Sequence, residues 1–269
     1  MRVFNGAVLG SPIAHSLSPV IHQVGYNFLE ISAKYTAVEV RSGQLADYLN
    51  STPPELNSFS LTMPLKEELV DLDFPTSELA KRIRSGNTLT KINGSWKVEN
   101  TDVIGFQQSV ASKTNATFQN VLILGAGATA RAAIAAFDSV GTQIDVASRS
   151  EHRSVSLKRA SLFAEVSIIG FDTEIPWSKY DLVVNTSPAG AADSLVSNIA
   201  GASALLFESL YHPWPTALMS FWRNVGLEVI DGLDLLVHQA ISQIAIFAEV
   251  PVKRSQLAPL MREAALKRI

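Results

Sequence analysis

The hydrophobic pattern changes period repeatedly along the chain, and the elements it predicts alternate between strand and helix. Val3–Leu9 reads as a first strand, followed by the Gly/Ser/Pro/His stretch GSPIAHSLSP. Val20, Val24 and Phe28, at i, i+4 and i+8, mark an amphipathic helix, with Ser18 as its N-cap and Pro19 at its first position. Tyr35–Val40 alternates like a strand, and Gln44–Asn50 reads as a helix. Phe59–Met63 is a short strand ending at Pro64, where another helix opens, and Glu78–Ile83 is a further short helix. Thr88–Ile92 and Ser95–Val98 flank Asn93-Gly94, the preferred dipeptide of a two-residue hairpin turn. A helix follows from about Asp102 to Ser112, and the polar stretch 112–120 reads as an inter-domain connection.

From Val121 the pattern becomes a regular strand–helix–strand unit: Val121–Leu124, an alanine-rich helix, then Gln143–Ala147. Further strands are expected at Leu182–Asn185, Leu205–Glu208 and Leu227–Ile230, and a helix from Leu233 to Ala248. Such alternation predicts an α/β fold of two units, the second beginning between residues 104 and 120. A length of 269 residues agrees with roughly two domains.

Composition narrows the chemistry. The 22 basic and 25 acidic side chains give a net charge of −3, without the basic excess of a nucleic-acid or membrane-surface binder. No apolar run reaches membrane-spanning length and no targeting segment stands out, so a soluble cytoplasmic protein is expected. With no cysteine, disulfides, thiolate nucleophiles and cysteine-held metals are excluded. His15 and His22 are separated by a Ser/Pro-rich turn. His22 reads as a polar position on a helix, and no metal site is expected.

The clearest motif is Gly125-Ala126-Gly127-Ala128-Thr129-Ala130, a GxGxxA placed between a strand and a helix. Gly125 suits the tight turn, Gly127 lets backbone N–H groups approach a pyrophosphate, and Ala130 lets helix and strand pack closely. The alternative is a glycine-rich turn without a ligand. At the end of the second strand, where an NAD site usually carries an acid, the chain has Ser148-Arg149-Ser150, with Arg153, Lys158 and Arg159 nearby. A guanidinium suits a 2′-phosphate, which favours NADP. Lys158 and Arg159 also read as a solvated helix face, and Glu151 complicates the choice.

A nicotinamide cofactor acting on an alcohol needs a group that moves the hydroxyl proton. Lys66 in SLTMPLKEE and Asp102 in ENTDVIG are the candidates, each just after a strand or hairpin. Taken singly, Lys66 could be a solvated lysine at a helix start and Asp102 an N-cap.

GSPIAHSLSPVIH, SLTMPLKE, GNTL, ENTDVIGF, GAGATARA, SRS, NTSPAG and GLDLLVHQA occur in the order and spacing of the shikimate dehydrogenase family, which the chain resembles from Gly10 to about Gln243. The resemblance implies reversible NADP-dependent reduction of 3-dehydroshikimate to shikimate, a step of aromatic amino-acid biosynthesis. It also implies a substrate-binding domain (1–103 plus 235–269), a Rossmann-like doubly wound NADP-binding domain (104–234) and an active-site cleft between them. The family serves small molecules, as a monomer or homodimer. Carried over, Ser16 and Ser18 bind the substrate carboxylate. Thr62, Asn87 and Gln239 contact ring hydroxyls, Tyr211 lies near the substrate, and Lys66 and Asp102 form the catalytic pair. Gly125 to Ala130, Ser148, Arg149, Ser150 and Arg153 match the adenosine-phosphate site, and Thr186, Leu210 and Gly232 lie where the family places the nicotinamide half.

Several positions depart from the family pattern. Ser60 stands where asparagine is usual beside Thr62, so a substrate hydrogen bond is lost or rearranged. Ser148 replaces the common asparagine, Ala128 the second glycine of the turn, and Ala191 a methionine. Glu99 precedes Asn100 with no glycine between. These changes leave two other readings open: a quinate/shikimate dehydrogenase with shifted preference, and a non-catalytic NADP-binding regulator. Retention of both Lys66 and Asp102 speaks against the regulator.

Overall fold

The computed structural model describes residues 4–92 and 94–269, so Val3 of the first expected strand and Asn93 of the expected hairpin turn lie outside the described residues. In chain order the elements are β1 (Phe4–Gly10), α1 (Ser18–Phe28), β2 (Ala33–Glu39), α2 (Leu45–Ser51), β3 (Leu56–Leu61), α3 (Leu65–Asp71), α4 (Glu78–Ile83), β4 (Thr88–Ile92), β5 (Ser95–Glu99) and α5 (Asp102–Ala111). Then come β6 (Asn120–Leu124), α6 (Ala128–Ala136), β7 (Gln143–Ser148), α7 (Ser154–Ala160), β8 (Glu165–Gly170), β9 (Leu182–Asn185), β10 (Leu205–Glu208), α8 (Ala217–Asn224), β11 (Val229–Ile230), α9 (Gly232–Ala248) and α10 (Arg254–Leu266). The hydrophobic pattern missed β8, α8 and α10, the helix expected around Lys158 and Arg159 is α7, and the strand expected from Leu227 begins only at Val229.

The chain divides into two compact units, one formed by the chain up to Gly105 with Leu236–Ile269, the other by Phe106–Leu235. Both crossings fall inside helices, α5 and α9. The polar stretch 112–120, expected as a connection, belongs to the second unit. There Asp181 Oδ2 accepts the N–H groups of Gln119 and Asn120, each at 2.9 Å, and Phe118 packs edge-on against Phe137. No helix among the described residues is long and apolar enough to cross a membrane.

The first unit holds a five-stranded sheet in the order β2-β1-β3-β4-β5, with β2, β1 and β3 parallel and β3, β4 and β5 antiparallel. Strand β1, between β2 and β3, is buried on both sides, with Ala7, Val8 and Leu9 at most 3% exposed, because helices cover both faces. Leu45, Phe59, Leu65, Leu69 and Leu89 form the core on one side. Each such side chain contributes about 1.5–3 kcal/mol by leaving water.

Helix α1 packs differently from its apolar row. Its buried side chains are Ser18, Ile21, His22, Gly25 and Tyr26, while Val20 and Val24 are half-buried and Phe28 is 38% exposed. Ser18 is the first helical residue rather than the cap, and its N–H donates to Ser16 Oγ at 3.3 Å.

The second unit holds a six-stranded parallel sheet in the order β11-β10-β9-β6-β7-β8. The chain winds outward from β6 through β7 and β8, then crosses back to β9 and winds the other way. This doubly wound order places a switch point between β6 and β9, and open α/β sheets bind ligands at the carboxyl ends beside it.

Candidate active site

Lys66, in the first turn of α3, and Asp102, in the first turn of α5, meet although 36 residues separate them. Lys66 Nζ lies 2.6 Å from Asp102 Oδ2, and the side chains are 14% and 6% exposed. The solvated-lysine reading is therefore excluded. The capping reading of Asp102 fails too, because Asn100 Oδ1 accepts the Val103 N–H at 3.1 Å. Asn100 is itself held by hydrogen bonds from its amide to Ser85. With the helix start satisfied by Asn100, the Asp102 carboxylate is left for side-chain partners.

Asn87 provides the second partner. Its Nδ2 donates to Asp102 Oδ1 at 2.9 Å and to Gln239 Oε1 at 3.4 Å. Its Oδ1 accepts the Thr101 N–H at 2.7 Å and the Thr88 hydroxyl at 2.9 Å. A backbone N–H can only donate, so the Thr101 contact fixes which end of the amide faces Asp102. Lys66, Asn87, Asp102 and Gln239 thus form one cluster. The loops carrying it are tied by the backbone: Gly86 N–H donates to the Lys66 carbonyl at 2.8 Å and Leu61 N–H to the Asn87 carbonyl at 2.9 Å.

A second row of residues, missed by the sequence reading, supports this cluster. Gln243 Nε2 donates to the Asn87 carbonyl at 3.0 Å and to Thr88 Oγ1 at 3.2 Å, while its Oε1 meets His22 Nε2 at 3.2 Å. His22 is fully buried, stacks on Tyr35 at 3.9 Å and approaches the Tyr26 hydroxyl at 3.4 Å through Nδ1. Burial pushes its pKa down to about 3 against the opposing effect of the hydrogen bond from His22 Nε2 to Gln243, so the imidazole is neutral at physiological pH. The polar helix position expected for His22 is therefore a buried one. The available signal was spacing: Gln243 follows Gln239 by four residues, so both lie on one face of α9.

The remaining predicted substrate residues divide. Ser16 and Thr62 are half-buried on the loops after β1 and β3, and Ser18 is 5% exposed at the start of α1. Those loops adjoin, since Ser11 N–H donates to the Met63 carbonyl at 3.0 Å. Ser60 is buried, and its hydroxyl is bonded to the Tyr35 hydroxyl inside the core. Tyr211 belongs to the other unit, half-buried on the loop after β10.

In the second unit, Gly125 turns the chain out of β6 with φ +106°, and a Cβ there would lie 2.9 Å from Thr186 Oγ1 and 3.0 Å from Ser187 N. Glycine is thus required by the protein itself. Gly127 differs, since a Cβ would meet nothing within 4 Å and its φ of −85° suits any residue. The space beside it is open, at the N-terminus of α6, where N–H groups and dipole favour an anion. Ala126, Ala128 and Thr129 are half-buried, and Ala130 is fully buried. Ser148 ends β7 with its hydroxyl on the Ser150 carbonyl at 2.8 Å. Arg149 and Glu151 are exposed, while Arg153 Nη1 reaches back to the Ala126 carbonyl at 3.4 Å, bringing a cation to the glycine-rich turn. Thr186 is tied to the end of β6 through its N–H and hydroxyl, at 2.8 and 2.9 Å from the Leu124 carbonyl oxygen. Gly232 lies against Leu210, whose carbonyl carbon and oxygen are 2.5 Å from where a Cβ would be. The predicted cofactor residues therefore gather at the carboxyl ends of β6, β7, β9 and β10, around the switch point.

Fold and site define a class: a two-unit α/β protein that pairs a buried lysine–carboxylate cluster with a doubly wound sheet bearing an open glycine-rich turn. Residues 8–89 match the model of the shikimate dehydrogenase substrate binding domain. The chain is 29% identical to a shikimate dehydrogenase (NADP(+)) from Microcystis aeruginosa, over 99% of each chain. The structure of a shikimate 5-dehydrogenase from Mycobacterium fortuitum is 30% identical, with a TM-score of 0.81 over 98% of each chain. That of the shikimate 5-dehydrogenase from Thermus thermophilus, in complex with NADP(H) and shikimate, is 27% identical with a TM-score of 0.82, over 99% of this chain and 100% of the other. The chain belongs to the shikimate dehydrogenase family.

Proposed function

We propose that this protein catalyses the reversible NADP-dependent oxidation of shikimate to 3-dehydroshikimate in the cytoplasm, with Lys66 and Asp102 as its acid–base pair. The observation that carries this reading is the buried contact of 2.6 Å between them, in a chain of this family. NADP, when bound, takes up or supplies the hydride. The protein's part is to move one proton at the 3-oxygen: Lys66 donates it to the ketone in reduction, and the pair takes it back in oxidation. Asp102 holds Lys66 through Oδ2 while Asn87 holds Asp102 through Oδ1, which fixes the direction of Nζ.

Ser16 and Ser18 receive the substrate carboxylate, and Thr62, Asn87 and Gln239 the ring hydroxyls, with Tyr211 contributing from its own loop. The unit with these residues, apart from Tyr211, is the substrate domain; the other takes the cofactor. The open space at Gly127 and the free end of α6 fit a pyrophosphate, and Ser148, Arg149, Ser150 and Arg153 a 2′-phosphate.

The test follows NADPH or NADH formation by purified protein with shikimate and then quinate, under NADP and NAD in parallel. Shikimate with NADP is the expected productive pair, and no turnover of shikimate with either cofactor would overturn the proposal. Faster turnover of quinate would favour a shifted specificity, which the engagement of Ser60 with Tyr35 makes worth measuring. Arg149→Ala is expected to raise the KM for NADP about tenfold or more, the loss of a charge-assisted phosphate contact, with little change for NAD. Equal loss for both cofactors would remove Arg149 from the 2′-phosphate site.

A further inference from the structure

Glu208, at the carboxyl end of β10, is fully buried, and no step described so far uses it. Its carboxylate gathers donors from three segments. Asn185 Nδ2 donates to Oε1 and Oε2 at 3.1 and 2.9 Å, the Leu210 N–H to Oε1 at 3.0 Å, and the Thr216 hydroxyl to Oε2 at 2.8 Å. Thr216 in turn accepts the Met219 N–H at 3.1 Å and caps α8. Asn185 Oδ1 accepts the N–H and hydroxyl of Ser187 at 3.1 and 2.6 Å. The Asn185 carbonyl takes the N–H and hydroxyl of Ser209 at 3.0 and 2.6 Å. One carboxylate thus clamps the loop after β9, which carries Thr186, to the loop after β10, which carries Leu210 and Tyr211.

The four hydrogen bonds at the Glu208 carboxylate are all donated to it, which suits the ionised, acceptor-only form. Burial pushes its carboxyl pKa up, against the hydrogen bonds from Asn185, Leu210 and Thr216 that favour the charge. A charge kept in such a place organises its surroundings more than it stabilises them, because any neutral replacement turns a donor or an apolar atom onto existing donors. The far side of the clamped loop is fixed as well. The Leu210 backbone abuts Gly232, where a Cβ would sit 2.5 Å from the carbonyl, so the loop is confined between Glu208 and the start of α9.

We propose that Glu208 is the positioning residue for the nicotinamide end of the cofactor, setting the Thr186 and Leu210 segments at the separation that admits the carboxamide-bearing ring. This rests on the reading that NADP binds at this sheet, and it assigns Glu208 no contact with the cofactor. The adenosine end lies at α6 and β7, whose residues make none of these contacts.

The test compares two ligands on the full-length protein without substrate: NADPH, which fills both ends, and 2′,5′-ADP, which fills only the adenosine end. For Glu208→Gln the expected result is a Kd for NADPH raised about tenfold, with the Kd for 2′,5′-ADP unchanged within about twofold. Thr216→Val removes one donor to Glu208 together with the side-chain cap of α8 while keeping size and charge, and is expected to shift NADPH alone by about threefold. Should Glu208→Gln fail to fold, Thr216→Val decides. Unchanged NADPH affinity, or equal loss of both ligands, overturns the proposal. Failure of the unaltered protein to bind either ligand instead overturns the NADP reading itself.

Discussion

Lys66 and His22 show opposite fates for a basic side chain taken out of water. Lys66 is paired with a carboxylate and keeps its Nζ at the site, whereas His22 is fully buried and hydrogen-bonded as a neutral ring. Lys66→Ala is expected to lower kcat by about two to four orders of magnitude, the usual contribution of a positioned acid or base, with the KM for shikimate nearly unchanged. Steady-state kinetics check this, and an unchanged kcat would remove Lys66 from the mechanism. For His22 the sign follows from its depressed folded pKa, about 3 against an ordinary 6.5. The unfolded chain takes up the proton first, so its contribution to stability is full above pH 6.5 and is lost as pH falls towards 3. Denaturant titrations between pH 7 and 4 should show the stability advantage over His22→Gln shrinking by up to about 1.4 kcal/mol per pH unit. A pH-independent difference would mean that His22 takes up its proton as readily in the folded protein as in the unfolded chain.

At the scale of elements, the two glycines of the turn before α6 have different causes. Gly125 is demanded by a positive φ and by Thr186 and Ser187, so the fold alone explains it. Gly127 has ordinary backbone angles and open space, so the fold itself does not demand a glycine there. Gly127→Ala should therefore leave the melting temperature within a few degrees, since a compatible Gly→Ala change is worth about 0.4–1 kcal/mol, while weakening NADPH binding about tenfold or more. Binding titration beside a thermal melt checks both halves, and unchanged affinity would move the pyrophosphate elsewhere. Helix α1 carries the opposite lesson about periodicity. Its row Val20, Val24 and Phe28 was legible as an amphipathic stripe, yet the helix buries the adjoining face of Ile21, His22 and Gly25. A stripe locates a helix, but the choice of face lies with the elements that come to pack on it.

Over the whole molecule, two units with separate sheets share two helices, because the chain crosses between them inside α5 and α9. Unfolding either unit must fray a helix of the other, which predicts one cooperative thermal transition. NADPH at about one hundred times its Kd should raise the stability of the whole chain by about 2.7 kcal/mol through mass action. Calorimetry that resolved two transitions, with NADPH moving only one, would show that the units melt independently.

The alternation of strands and helices, the GxGxxA turn, the basic residues after β7 and the order of motifs were all legible in the sequence, because each depends on neighbours a few residues apart. The pairings were not: Lys66 finds Asp102 across 36 residues, Asn87 finds Gln239 across 152, and His22 finds Gln243 across 221. Local pattern specifies which side chains are polar, and nothing in it says which polar groups will be buried together. Desolvation settles that, since a group removed from water must find a partner wherever the fold brings one. Hence the sequence alone determined most of the elements, though not β8, α8 or α10, and named Lys66 and Asp102 as candidates. Only the tertiary structure made them a pair, placed Asn87 and Gln243 behind them, and turned Ser60, His22 and Glu208 inward.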